Sequence, residues 1–322
     1  MNQLQFSTFQ SKPREKNVYQ PIYIKTKFIM EKPIIVGACI EDTFISAGLV
    51  DLELRTVVPN SLKRKRVNPI GSKEDIISAW SGVLKDVMSI PDFSPSKIGI
   101  GIPGPVEYGS GIYHTNDKNR YGNLDNGNIR QLLAEQLNVA GENIKLMNDA
   151  VSFFHGEVFG GAIRGYKKSL GLTLGIGLGS ARYNNGVLED ANLWKMPFGD
   201  SVAEDLLSIG WLINRFKALS GIEVADLVEM KSFALDPRFQ QVFNEFAHNL
   251  ACFLLEVIKI DNPEVVLIGG HMESSNKYFF DKMKEKVLLS GVNVPIMRAI
   301  LGEKASVIGA ASTWFSEGKL HV

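Results

Sequence analysis

The chain has 322 residues, 45% hydrophobic and 22% charged, an ordinary globular balance at about two domains' length. Thirty-five Lys and Arg offset thirty-five Asp and Glu, so no net field draws the protein to nucleic acid or an anionic membrane; a small neutral partner fits better. Cys39 and Cys252 stand far apart without CxxC spacing, which signals neither a disulfide framework nor structural zinc and makes a reducing cytoplasmic setting the default.

Residues 1–30 carry Lys12, Arg14, Lys16, Lys25 and Lys27 but no unbroken apolar segment with a cleavage site, so they read as an N-terminal extension rather than a signal peptide. Thirty residues are too few for a helix-turn-helix domain plus a linker. The most apolar stretch, 250–260, is interrupted by Glu256 and Lys259, so no membrane span is expected. Residues 34–39 and 44–50 are β-type runs separated by a tight turn and predict a hairpin. Ser72-Lys73-Glu74-Asp75 resembles a capping box, and Ile76, Trp80, Val83, Leu84, Val87 and Met88 recur at helical spacing until Pro91. Ile98-Gly99-Ile100-Gly101-Ile102 reads as a buried strand that delivers the rigid loop Pro103-Gly104-Pro105.

A second cycle follows, with a helix over 129–137, a strand over 144–147, and Asn148-Asp149-Ala150 opening another helix. Residues 169–175 read as strand, and Asn184-Asn185-Gly186 has the strongest hairpin-turn chemistry in the chain. A long helix through Val242, Phe246, Leu250 and Val257 leads to a buried strand over 265–268 that ends in Gly269 and Gly270. Strands alternating with helices, in two halves that each open with a hairpin, predict an α/β protein of two related domains facing a central cleft. The expected division is a smaller α/β domain over 31–147, a larger one over 148–304, and a closing helix at about 305–318 that returns to the first.

Asp149 is the first catalytic candidate, because a carboxylate at that strand-to-helix junction lies at the carboxyl end of a sheet, where open α/β folds bind ligands. The same position suits a plain helix N-cap, and the residue type alone does not separate the two. Gly175, Gly177 and Gly179 alternate as in loops whose backbone N–H groups approach an anion, a pattern that in a strand also marks a bulge or close packing.

These pieces, in this order, resemble the ROK family of sugar kinases and sugar-responsive repressors, within the actin-like ATPase (ribonuclease H-like) fold. The matching segments are Gly48-Leu49-Val50-Asp51, Ile100-Gly101-Ile102-Pro103-Gly104-Pro105-Val106, Met147-Asn148-Asp149-Ala150, Gly156-Glu157, the run from Leu172 to Gly179, Pro263-Glu264 through Gly270, and Val307-Ile308-Gly309-Ala310-Ala311. The resemblance implies that Asp149 is the general base for a sugar hydroxyl attacking the γ-phosphate of ATP. It implies that Asn148 hydrogen-bonds the sugar, that Pro103 and Gly104 shape the sugar-side loop, and that Glu204 contacts the sugar. It further implies that Thr43, Gly175 and Gly177 meet the phosphates, that Gly269 and Gly270 meet the adenosine, that Mg²⁺ assists, and that the protein is a homodimer. As an isolated feature, Glu204 also reads as an acid favoured by a helix dipole.

Two segments depart from the family pattern. Where the first phosphate loop reads Asp-x-Gly-Gly-Thr, this chain has Cys39-Ile40-Glu41-Asp42-Thr43, which replaces a metal-organising Asp and sets two carboxylates where backbone should close on a triphosphate. ATP and Mg²⁺ are therefore expected to bind poorly in the usual pose, unless Glu41 or Asp42 reaches the metal. Where typical members carry a Glu-x-Gly-His and zinc-binding cysteines, residues 192–198 offer no zinc ligands, and the segment resembles a zinc-free subgroup in which Trp194 would line the sugar pocket. His114 and His155 fall near the expected sugar loop and helix, whereas His248 and His271 read as surface residues. The leading reading is an ATP-dependent kinase of a hexose or N-acetylhexosamine. The alternative is a catalytically impaired sugar-binding or regulatory protein.

Overall fold

The computed structural model describes residues 34–114 and 121–315; the extension expected at 1–30 lies outside them. The chain opens with the hairpin β1 (Ile34–Ile40) and β2 (Phe44–Asp51), followed by the short strands β3 (Thr56–Val57) and β4 (Lys63–Arg66). Helix α1 (Lys73–Met88), strand β5 (Ile98–Ile102), the ribbon β6 (Val106–Glu107) and β7 (Ile112–Tyr113), helix α2 (Ile129–Leu137) and strand β8 (Ile144–Asn148) complete the first half. Helix α3 (Asp149–Gly160) leads to strands β9 (Lys168–Leu174), β10 (Leu178–Asn184) and β11 (Val187–Asp190). A second ribbon, β12 (Pro197–Phe198) and β13 (Ser201–Val202), precedes helices α4 (Ala203–Leu206), α5 (Ile209–Ser220), α6 (Leu227–Met230) and α7 (Pro237–Asp261). The chain then runs through β14 (Val265–Gly269), α8 (Asn276–Leu289), β15 (Ile296–Arg298) and α9 (Lys304–Ser312).

The strands form two sheets of the same plan. One has the order β3-β2-β1-β5-β8, with β4 also on β2; the other has the order β11-β10-β9-β14-β15. Each begins with an antiparallel hairpin, β1 with β2 and β9 with β10, and continues in parallel through β5 and β8 or β14 and β15. The parallel registers Cys39↔Gly101 and Ile102↔Asn148 level the carboxyl ends of β1, β5 and β8, so the loops after them share one edge. Gly269↔Thr173 does the same for β14 and β9.

Local chemistry accounts for the elements that set this edge. Ser72 caps α1 by accepting from Asp75 N–H, and the helix buries Ile76, Trp80, Val83, Leu84 and Val87 on the first sheet, each worth roughly 1.5–3 kcal/mol of transfer free energy. Trp80 meets Tyr121 edge to face at 5.1 Å, which pins the loop around Tyr121 to that core. On the second sheet α7 buries Phe239, Phe243, Phe246 and Phe253, and Phe279 of α8 packs across Phe246.

Helices α3 and α9 lie between these cores. A methyl group on Gly37 or Gly99 would stand 2.0 Å from Val307 O or 1.9 Å from Ala310 O, so glycine lets α9 lie directly on β1 and β5. The closing helix, expected to reach 318, ends at Ser312: Thr313 Oγ1 donates to Ala310 O and Trp314 Nε1 to Ile98 O, which turns the chain back onto β5. Among the described residues no helix is long and apolar enough to cross a membrane.

Candidate active site

The loops at the shared edges surround a cleft of about 390 Å³ lined by the β1–β2 turn, the start of α3, the β9–β10 turn, residues 270–274 and residues 302–306. Asp149 is the first residue of α3, directly after β8. The N-cap is Asn148, whose Oδ1 accepts from Val151 N–H at 3.1 Å, so Asp149 is not needed as the cap. Ala150 and Phe153, on the next turn of α3, line the cleft.

The β9–β10 turn is built for close backbone approach. Gly175 N–H donates to Gly177 O, and a methyl group on Gly175 would lie 3.1 Å from His271 Nδ1. Gly270 has φ +95° and faces Leu174 backbone, a conformation and a contact that both exclude a side chain. Glu204 joins this turn: Oε2 accepts from Leu178 N–H at 2.8 Å, and a methyl group on Gly177 would stand 2.5 Å from it. The expected sugar contact is thus tied to the expected phosphate segment. Gly269 packs against Phe153 and Ala299 and is not among the lining residues. Thr43 is outside the lining too; its carbonyl accepts from Val67 N–H and ties the turn to the end of β4.

The β1–β2 turn presents Glu41 and Asp42 to the cleft. Tyr121 Oη donates to Glu41 O at 2.7 Å, while Arg64 binds the Glu41 carboxylate at 3.2 Å and also pairs with Glu303 on the α9 side. His271 Nε2 approaches Glu41 Oε1 at 3.9 Å from the opposite sheet, so this histidine is exposed, as expected, and also lines the cleft. Behind the turn Cys39 is buried. Burial, reinforced by the negative charges of Asp149 and Glu41, pushes its thiol pKa well up, so a neutral thiol stands where the resemblance expects a carboxylate.

The ribbon after β5 carries Tyr108, whose Oη donates to Ile102 O at 3.4 Å and whose pKa is pushed up by burial, so it stays a neutral phenol. Gly104 flanks it: a methyl group there would lie 3.3 Å from Tyr108 Oη. Gly104 and Pro103 therefore shape the strand end beside Asn148.

The remaining expected contacts lie elsewhere. His114 pairs with Glu107 on the outer ribbon. His155 bonds Ser312 Oγ at 3.0 Å inside the α3–α9 packing, where burial lowers its pKa to about 4 and keeps it neutral. Trp194 is 43% exposed, with Lys195 near its ring. Glu157, fully buried, accepts from the N–H groups of Ala162, Ile300 and Leu301 and so fixes the loop that carries Glu303 and Ser306. Sequence reasoning missed Tyr108, Ser306 and Glu303; each belongs to a segment singled out for a different residue.

A model of the ROK family matches residues 214–317. A glucokinase from Thermotoga maritima is 25% identical over 88% of this chain and 98% of its own length. The chain is thus similar to the ROK family. Among solved structures, a ROK hexokinase from Thermus thermophilus superposes with a TM-score of 0.70 at 23% identity, over 87% of this chain and 97% of that one. A ROK-family glucokinase from Streptomyces griseus in complex with glucose and AMPPNP gives 0.70 at 19% identity, over 87% and 98%. The two sheets are therefore those of the actin-like ATPase fold. The stretch that departs from the expected phosphate loop sets Glu41 and Asp42 on the cleft and Cys39 buried behind it.

Proposed function

We propose that the protein is a sugar kinase that moves the terminal phosphoryl group of ATP to a hydroxyl of a hexose or N-acetylhexosamine, with Asp149 as general base. The observation that supports this reading is the place of Asp149 in the chain: directly after β8, with Asn148 rather than Asp149 capping α3, and next to Ala150, which lines the cleft with the glycine turn of the second sheet. Two walls of the cleft suit a nucleotide. Gly175 and Gly177 put no side chain into the β9–β10 wall, and Gly270, held at φ +95°, keeps its own wall free of side chain. The third wall carries Glu41, Asp42 and Glu303, hard oxygen donors that suit Mg²⁺ and repel a bare triphosphate. Among the described residues no three such side chains gather as a metal site, and Arg64 pairs with Glu41 and Glu303, so the cation would come with ATP, and Mg·ATP would supply the electrophilic phosphorus. Asn148 orients the sugar, and Asp149 takes the proton of the attacking hydroxyl, a role worth typically 10²–10⁴-fold.

The acidic third wall favours the second reading, a sugar-binding protein in which phosphoryl transfer is impaired. A coupled assay for ADP release with ATP, Mg²⁺ and a panel of hexoses and N-acetylhexosamines separates the two. Under the kinase reading, release depends on sugar and falls at least about a hundredfold in Asp149→Asn. Sugar binding by calorimetry without turnover by the wild type would overturn the kinase reading and leave the second.

A further inference from the structure

The cleft is short of positive charge. Of the described side chains that line it, Glu41, Asp42, Glu273 and Glu303 are acids, and His271 is the one that can carry a positive charge or present a ring N–H to an anion. The chain on either side builds its place. Gly270, at φ +95°, turns the backbone sharply after β14, and the buried Met272 donates its N–H to Leu174 O at 3.1 Å, which clasps the loop to the end of β9. Between these two residues the His271 side chain stays 64% exposed and lines the cleft. Its ring spans the gap between the two hairpin turns: Nδ1 lies 3.1 Å from where a methyl group on Gly175 would stand, and Nε2 lies 3.9 Å from Glu41 Oε1, beyond hydrogen-bond reach. The Glu41 carboxylate is meanwhile bound by Arg64 at 3.2 Å.

We propose that His271 is a phosphate-contacting residue: from the gap between the Gly175 turn and the Glu41–Asp42 turn, it donates a ring N–H to the phosphate chain of the bound nucleotide. The contact with Glu41 is too long to hold the ring, so the donor is available to a ligand oxygen. Glu41 and Asp42 repel the same phosphates, and a donor supplied from the loop after β14 offsets part of that repulsion. The bare Cα of Gly175 beside Nδ1 leaves room for a phosphate oxygen to reach the ring edge. This rests on the sugar kinase reading and adds to it the side chain that receives the phosphates.

The test is calorimetric titration of the full-length protein with ADP and with adenosine, in the presence of Mg²⁺. His271→Ala should lose about tenfold or more in affinity for ADP, the scale of a hydrogen bond to a charged group, and should hold adenosine within about twofold of wild type. Unchanged adenosine binding also reports that the substituted protein keeps its cleft. The loss for ADP should persist in a Glu41→Gln background, where a histidine that only screens the Glu41 carboxylate would have nothing left to screen. A His271→Ala protein that binds ADP within about twofold of wild type, that loses ADP and adenosine alike, or whose loss disappears beside Glu41→Gln overturns the inference and leaves the kinase reading intact. A wild type that binds no ADP overturns both.

Discussion

The cleft is lined by two turns that the fold makes equivalent and the sequence makes opposite. The β1–β2 turn and the β9–β10 turn each close the first hairpin of a sheet, and each sheet places its turn at the same edge. In the second sheet the turn is Gly175-Ile176-Gly177, where Gly175 N–H donates to Gly177 O, Gly175 O accepts from Ile209 N–H, and the Ile176 side chain is exposed. In the first it is Glu41-Asp42, tethered by Tyr121 to its own backbone and by Arg64 to Glu303. The hairpin geometry survives either composition, because strand register fixes where a turn lies. The side chains on it decide whether an anion can approach. Loss of phosphate-binding character at one turn therefore need not disturb the scaffold that carries Asp149.

The largest effect that sharpens this contrast is expected from converting the acidic turn toward the glycine one. Glu41→Gly combined with Asp42→Gly should tighten ADP binding about tenfold or more in calorimetry, with the larger gain in the absence of Mg²⁺, since two repulsive carboxylates are gone. Weaker binding in the presence of Mg²⁺ would show instead that these acids hold the cation. The reverse change, Gly177→Ala, forces Glu204 Oε2 away from the Leu178 N–H and should cost about 1 kcal/mol of stability in urea denaturation. An unchanged midpoint would mean that the glycine turn tolerates side chains as the acidic one does. The smallest effect is expected from Arg64→Met, whose pairs with Glu41 and Glu303 are partly exposed: less than about 1 kcal/mol, and less again in high salt. A larger, salt-independent loss would make this bridge a structural part of the first turn.

What could be read in advance followed the range of the signal. Ile76, Trp80 and Val83 announce α1 because helical periodicity is local, and Ser72 marks its start for the same reason. The two hairpins and the position of Asp149 after β8 are likewise written in short windows. Glu204 shows the limit: its sequence neighbours point to a helix start, but whether its carboxylate meets a sugar or the Leu178 N–H depends on a hairpin twenty-six residues earlier. Tyr108 lies three residues beyond the quoted loop, and only the ribbon's return brings its hydroxyl to Ile102 O. His271 is exposed, as its sequence suggests, but that it stands opposite Glu41 follows only from the strand arrangement. Thr43, the one residue of the first phosphate motif that this chain keeps, has its carbonyl bound by Val67 N–H after β4 and is not among the residues that line the cleft.

The tight seating of α9 on Gly37 and Gly99 has a consequence for the order of events during synthesis. Val307 lies 270 positions after Gly37, so the back of the first sheet stays uncovered while most of the chain is still being made. At roughly 5–20 residues per second this interval lasts from about fifteen seconds to nearly a minute. During it, β1 and β5 present a glycine-lined apolar groove to whatever is near. A truncated nascent chain that ends before α9 should therefore be a better client for chaperones than one that includes it, even though every strand of both sheets is already present.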